Sequence, residues 1–225
     1  MIVQIAKYLE CTSIEQNDLL VAAGYLPVYQ ALEGAGLEQA LEEARQIMSC
    51  LPLPAMIVNR ALNIQGVNEP FRRLFGLPAH PAFYKSLNMA DLHFNSDYPV
   101  RSRSTFNAVS FELWESHAID GIQAYKTMNF YSTHEPWYKQ GVQKLQQYDD
   151  FNKYWNKLPE STMNGLERDK MILARMGASG KLVPIRYKQI QISTSHHMYP
   201  RIEAYLPVDD AARIVFNQLG CQPCR

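Results

Sequence analysis

The sequence predicts an α+β protein: a five-stranded antiparallel sheet, with helices inserted between its second and third strands and more helices ahead of it. Three observations carry that prediction. Two short apolar runs, Ala55 to Val58 and Asn63 to Val67, flank a four-residue polar turn, the pattern of a tight hairpin. Residues 77–160 then show apolar positions at helical spacing. Beyond them the period changes, and Met171 to Met176, Leu182 to Thr194 and Tyr199 to Leu206 read as three strands, separated by the turns Gly177-Ala178-Ser179-Gly180 and His196-His197.

Residues 1–25 read as two short helices. Ile2, Ile5, Ala6 and Leu9 form one apolar stripe, and Thr12 and Ser13, with Glu15 and Gln16 three residues on, supply a capping box for the second. Leu19, Leu20, Ala22 and Ala23 continue it until Gly24. Pro27 and Gly34-Ala35-Gly36 mark a linker. From Leu37, a seam of Ala40, Leu41, Ala44, Ile47 and Met48 makes a connecting helix, which either docks on the following domain or pairs with its copy.

After the hairpin, Asn68 sits at a helix N-cap, with Glu69 and Pro70 in the first turn. Phe71, Leu74 and Phe75 follow at helical spacing, and Gly76 closes the helix. Phe106, Val109, Leu113, Ile119, Ile122, Tyr125 and Phe130 give a long helical pattern, predicted to kink or break near Asp120-Gly121. Pro136 opens another, with Tyr138, Val142, Leu145 and Tyr148 on one face. Phe151, Tyr154, Trp155 and Leu158 continue it to Pro159. Asp209 or Asp210 caps a last helix with Ala212, Val215, Phe216 and Leu219.

The chain has 225 residues with 22 basic and 22 acidic side chains, so its zero net charge supplies no general attraction to nucleic acid. No apolar run approaches the roughly 18 residues of a membrane span, and the start lacks the features of a signal peptide. Four cysteines are too few for a disulfide scaffold, so a reduced, cytoplasmic protein without a membrane partner is expected.

Three features resemble the MmyB-like regulators of the xenobiotic-response-element (XRE) helix-turn-helix class. Leu19-Leu20-Val21-Ala22-Ala23-Gly24-Tyr25-Leu26-Pro27 is similar to the closing helix of that class of DNA-binding domain. The Pro54 to Gly76 hairpin and helix looks like the opening of the family's PAS-like ligand-binding domain. Phe151-Asn152-Lys153-Tyr154-Trp155, the glycine-flanked strands and Arg201-Ile202-Glu203-Ala204-Tyr205-Leu206-Pro207 follow the order of its second half. The resemblance implies a homodimeric transcription regulator whose ligand domain alters DNA binding. It divides the chain into closing helix-turn-helix helices at 1–27, a linker and connecting helix at 28–50, a PAS-like domain at 51–220 and a tail at 221–225. In this class the DNA-reading helix lies upstream of the helices matched by residues 1–25, so DNA contact is expected through N-terminal sequence absent from this chain.

A PAS-like pocket made from these residues is apolar and aromatic. The candidates are Met56 and Val58 on the first strand, Phe71 and Phe75 on the short helix, and Leu113, Trp114, Tyr125 and Met128 on the long one, with Trp137, Trp155, Ile190 and Ile192 closing it. Aromatic rings and flexible methionines suit a small apolar ligand, a fatty acid first. Its head group needs a cation or donor, because a buried unpaired carboxylate is costly. Arg72, Arg73 and Arg186 are the candidate cations; Tyr125, Tyr187, His196 and His197 are the candidate donors.

Other chemistry finds weaker footing. Adjacent His196 and His197 point to opposite faces of an extended chain, which disfavours one shared metal. Cys221-Gln222-Pro223-Cys224 follows the last helix rather than opening one, so it reads as a tail. No nucleotide, hydrolase or zinc-protease motif is present, and no cofactor is expected. His117 with Asp120, and His134 with Glu135, leave a small enzyme as an alternative, and a heme- or metal-sensing PAS domain is another.

Overall fold

Three helices precede the sheet in this computed structural model, which describes residues 2–9, 11, 13–25, 32–84, 86–129, 133, 135–157, 169–177, 180–193 and 199–221. Ile2–Tyr8 (α1) and Ser13–Ala22 (α2) lie against each other, with Ala6 and Leu20 buried. Gly34–Cys50 (α3) follows. The glycines predicted as linker form its first turn, where glycine weakens the helix least because those N–H groups have no partner within it. Ala40, Ala44 and Met48, four residues apart, are its buried stripe.

Ala55–Val58 (β1) and Ile64–Val67 (β2) form the hairpin. Its turn is stitched by Asn59, whose side-chain oxygen accepts from the backbone N–H of Ala61 at 3.0 Å and Asn63 at 2.9 Å. Leu62 in that turn holds φ at 62°, a left-handed conformation that bulky residues rarely adopt. Asn68 then does two jobs. Its Oδ1 caps Glu69–Phe75 (α4) by accepting from Phe71 N–H at 3.0 Å, and it also accepts from Ala55 N–H at 2.9 Å, fastening the helix to β1.

The inserted block comprises Pro81–Tyr84 (α5), Met89–Phe94 (α6), Pro99–Ser104 (α7), Ala108–Met128 (α8), Pro136–Leu145 (α9) and Asp149–Trp155 (α10). Helix α8 runs through Asp120-Gly121 unbroken, contrary to the predicted kink. A single interior glycine costs only about 1 kcal/mol, and the buried residues on both sides, Ala118, Ile119 and Ile122, outweigh that. Phe106 lies ahead of this helix, which Asn107 and Ser110 open with a reciprocal capping box. Lys170–Met176 (β3), Lys181–Ser193 (β4) and Arg201–Pro207 (β5) complete the sheet, and Asp210–Gln218 (α11) packs on β3, β4 and β5.

All pairings are antiparallel, in the order β2-β1-β5-β4-β3, so the predicted PAS-like five-stranded α+β architecture is the one observed. Strand alternation sorts the side chains into two faces. Met56, Val58, Ile172, Ile185, Tyr187 and Tyr205 join α4 and α11 in the main core. Ala55, Ile57, Ile202 and Ala204 meet α3 on the opposite face. A separate core of Phe94, Trp114, Ala118, Ile122, Phe151 and Tyr154 lies within the inserted helices. Leu158, Pro159, His134, His196 and His197 fall outside the described residues.

Candidate ligand-binding site

Between the inserted helices and one end of the sheet lies a cavity of about 80 Å³. Helix α8 supplies its longest wall: His117, Ala118, Gly121, Ile122, Tyr125 and Met128 recur three or four residues apart and share one face. A Cβ added at Gly121 would meet nothing within 4 Å, so glycine widens the space there. Met89, Ala90, His93 and Phe94 of α6 face this wall, Leu145 and Phe151 close one side, and Leu62 of the strained turn reaches in.

Helix α6 is too short to be stable alone, and its position is set by hydrogen bonds. Asn88 and Asp91 form a capping box, and Asn88 Nδ2 donates to the Ala61 carbonyl at 2.7 Å. Buried Asp91 also accepts from Lys144 Nζ at 2.8 Å and Tyr148 Oη–H at 3.0 Å, tying α6 to the helices behind it.

The sheet side of the cavity is polar. Gln189, Gln191, Tyr199 and Arg201 line it. Behind them runs a buried chain of hydrogen bonds: Lys170 Nζ donates to Gln189 Oε1, Gln189 Nε2 donates to Glu203 Oε2 at 2.8 Å, and Arg201 Nε donates to Glu203 Oε1 at 2.6 Å. Glu203 is 0 % exposed, and Lys170 and Arg201 are 5 % exposed, so Arg201 pairs with the carboxylate away from water and Lys170 is linked to it through Gln189. Burial pulls the Lys170 ammonium from its usual 10.5 down to about 7, against the attraction of Glu203. The Arg201 Nη1 group meets the Met128 sulfur at 3.8 Å, a weak acceptor, and the Tyr199 hydroxyl meets the same sulfur at 3.7 Å.

His93 and His117 also face the cavity, with ring centroids 4.9 Å apart. The Nδ1 atom of each is buried and has no hydrogen-bond partner among the described residues. Burial, then the Lys170 charge, lowers His93 from 6.5 to about 3 and holds His117 well below its usual value, so both rings are neutral near pH 7.

Of the predicted pocket residues, the structure brings Tyr125 and Met128 to the cavity. Met56, Val58, Phe71 and Phe75 lie in the solid main core, because β1 directs its second and fourth residues toward α4. Ile190 and Ile192 lie on the opposite face against the α3 side; alternation gives the cavity face to Gln189 and Gln191. Trp114 is buried under the Arg101 guanidinium, 3.4 Å from its ring, and Asp150 pairs with Arg101 at 2.6 Å. Leu113, Trp137 and Trp155 are partly buried outside the cavity wall, with Arg60 over Trp137 and Lys126 over Trp155. Arg72 pairs with Glu69 on the surface, Arg73 is exposed, and exposed Arg186 donates its backbone N–H to Asp209 at 3.0 Å. Tyr187 is buried in the main core. Cys221 is buried there too, its thiol pushed up to about 11, so this first residue of the predicted tail is packed.

The cations and donors at the cavity are thus Arg201, with Lys170 behind it, and the His93–His117 pair. A search for apolar residues passes over them. One signal was available: Lys170, Gln189, Gln191, Arg201 and Glu203 are polar positions in phase with the buried face of their strands, which is where polarity demands a reason. Among the described residues, no group of three or more His, Cys, Asp or Glu side chains is arranged to hold a metal, and no helix is long and apolar enough to cross a membrane.

No curated protein matches the chain. Residues 41–219 match the family described as the MmyB-like transcription regulator ligand binding domain, a span that takes in α3 from Leu41, the whole sheet, every inserted helix and α11. The chain belongs to this family of regulator ligand-binding domains.

Proposed function

We propose that this protein is the effector-sensing part of a cytoplasmic, dimeric transcription regulator, and that it binds a small, largely apolar acid, a fatty acid first, in the cavity between α8 and the β4–β5 end of the sheet. The observation that carries this reading is Arg201. Its guanidinium lies on the polar sheet side of a cavity whose α8 wall is mostly apolar, and beyond its bond to Glu203 it meets the Met128 sulfur at 3.8 Å and the Tyr199 ring at 4.8 Å. A carboxylate there replaces a weak acceptor with a charge-assisted pair, and the acyl chain lies along Ala118, Ile122 and Phe94.

A cavity of about 80 Å³ is small beside the roughly 300–1,000 Å³ of ordinary ligand pockets. A long chain therefore enters only as the walls part. Helices α8 and α10 share a core of their own with Phe94, while Tyr84, Leu92 and Val100 hold α5, α6 and α7 in the main core, so α8 and α10 part from the sheet together. This couples occupancy to shape, as a population shift requires. Strand β5 supports the onward route: Arg201 lines the cavity with Glu203 buried behind it on the same face, while Ile202 and Ala204 between and beside them pack with Ala44 and Met48 of α3. Movement of β5 is thereby felt by the helix leading back to residues 1–27, read as the closing helices of an XRE-type DNA-binding domain.

The test is native mass spectrometry of the purified protein, then extraction and identification of any co-purifying molecule, with titration by saturated fatty acids of increasing length. Binding that weakens at least tenfold in Arg201→Met supports the reading. An empty protein that takes up no fatty acid of any length sinks it. For the coupling step, Leu41→Asp with Ile47→Asp in the full-length regulator should leave ligand affinity intact while abolishing its effect on DNA binding; an unchanged DNA response counts against α3.

A further inference from the structure

The apolar seam of α3 is spent inside its own protomer. Ala44 and Met48 pack with Ala55 and Ile57 of β1 and Ile202 and Ala204 of β5, so that seam cannot also pair two copies as a coiled coil. A dimer needs another surface, and the same side of the sheet offers one. Helix α3 packs over the β1–β5 part of that side. Beyond it, β3 and β4 present Met171, Leu173, Leu182, Pro184, Arg186 and Lys188 together, because these positions alternate with the buried Ile172, Ala174, Ile185 and Tyr187. Leu182 is 43 % exposed, Pro184 is exposed, and Met171 and Leu173 are partly so. Exposed Arg186 makes no ion pair among the described residues, and Lys188 comes no nearer than 3.9 Å to Asp169.

This strip is apolar with a basic border, and its neighbour is acidic. Helix α3 carries Glu38, Glu42 and Glu43 against a single cation, Arg45. Glu38 and Glu42, one turn apart, point away from the buried stripe and are exposed. Glu42 meets Arg45 at 3.4 Å in a surface pair, which holds its charge only weakly. The strip and the helix lie side by side on one sheet and face the same way, so they cannot meet within one protomer. A two-fold rotation brings them together twice. The acidic side of the partner's α3 descends on Arg186 and Lys188, while Glu38 and Glu42 descend on the partner's strip. A helix with its side chains is about 10–12 Å across, so two α3 helices side by side make one layer between the two sheets. We infer that a second copy of this chain docks on the outer face of β3 and β4 through this exchange of α3 helices. The inference deepens the dimeric regulator proposed above and rests on it.

The test is sedimentation velocity of the 225-residue chain and of two variants. One reverses the strip, Arg186→Glu with Lys188→Glu; the other reverses the helix, Glu38→Lys with Glu42→Lys. The wild type should form a concentration-dependent dimer. Each variant alone should associate at least tenfold more weakly, since both halves of its interface then oppose like charges. An equimolar mixture of the two should dimerise again, because each reversed patch meets an opposite one on the other chain. Such recovery also shows that neither variant has lost its fold. Dimers that survive both reversals, or variants that stay monomeric when mixed, overturn this face and leave a dimeric regulator standing on another surface. A wild-type chain that stays monomeric at every concentration overturns both, and leaves the strip to an acidic partner of a different kind.

Discussion

Strands β4 and β5 carry one face of the sheet through two different environments. At one end, Tyr187 and Tyr205 meet Phe71 and Phe75 with ring centroids 5.4 to 6.4 Å apart, all four rings buried in the main core. Further along the same face, Gln189, Gln191, Glu203 and Arg201 replace the aromatic rings, and the helices opposite stand off around a cavity. The alternation is unbroken from one end to the other; only polarity changes. Aromatic side chains interlock and fill volume, as protein interiors generally do. A charged floor cannot be covered by the apolar side of α8 without leaving its groups unpaired, so closure there stops short. Buried polarity is what keeps the hollow open.

Removing the hub of the polar end should do the most damage. Glu203→Ala leaves Arg201 buried without its carboxylate and Gln189 without an acceptor, and a loss of about 3–5 kcal/mol is expected in denaturant unfolding. If stability barely changes, the polar floor is wetter than its burial implies. At the solid end, Phe71→Ala should cost about 3 kcal/mol or more through the cavity it leaves.

The next effect distinguishes the two ends by pH. Folding lowers Lys170 from 10.5 to about 7, so between those values the unfolded chain binds more protons than the folded one. Stability should therefore rise with pH across that window, by up to about 1 kcal/mol per pH unit, and the slope should flatten in Lys170→Met. His93, lowered from 6.5 to about 3, has the same sign in a lower window: its contribution is full above pH 6.5 and is lost as pH falls toward 3. Stability that is level from pH 7 to 9 in the wild type would mean that Lys170 keeps its proton.

Two smaller effects sharpen the contrast. Asp209 caps α11 by accepting from Ala212 N–H at 2.7 Å and also holds the Arg186 N–H, so Asp209→Ala should cost about 1 kcal/mol without altering ligand affinity. Ala118→Leu should change stability least, by no more than about 1 kcal/mol either way, because the added carbons enter existing space. It should nevertheless weaken ligand binding at least tenfold. Normal binding in that variant would move the site elsewhere.

The hairpin, the Asn68 cap and the later strands were legible because their signals are local: turn residues, a capping side chain and a period of two all act over a few positions. The continuity of α8 was not, since Gly121 weakens a helix locally while packing from both sides restores it. A cavity between the helices and the sheet was legible, but its lining was not. An apolar, aromatic chamber between helices and sheet suggests apolar residues, and Tyr125 and Met128 do line the cavity. Phe71 and Phe75 were hydrophobic enough to be drawn into solid core instead.

The amino-acid sequence by itself determined the element order, the antiparallel sheet and the family, because local periodicity and turn chemistry need no knowledge of distant partners. Only the tertiary structure decided which face of each strand meets which helix. That choice put Ile190 and Ile192 on the α3 side and Gln189 and Gln191 in the cavity. It also gathered Lys170, Arg201, Glu203, His93 and His117 from four separate elements. A shift of one residue in strand phase exchanges the two faces, and three-dimensional packing sets that phase.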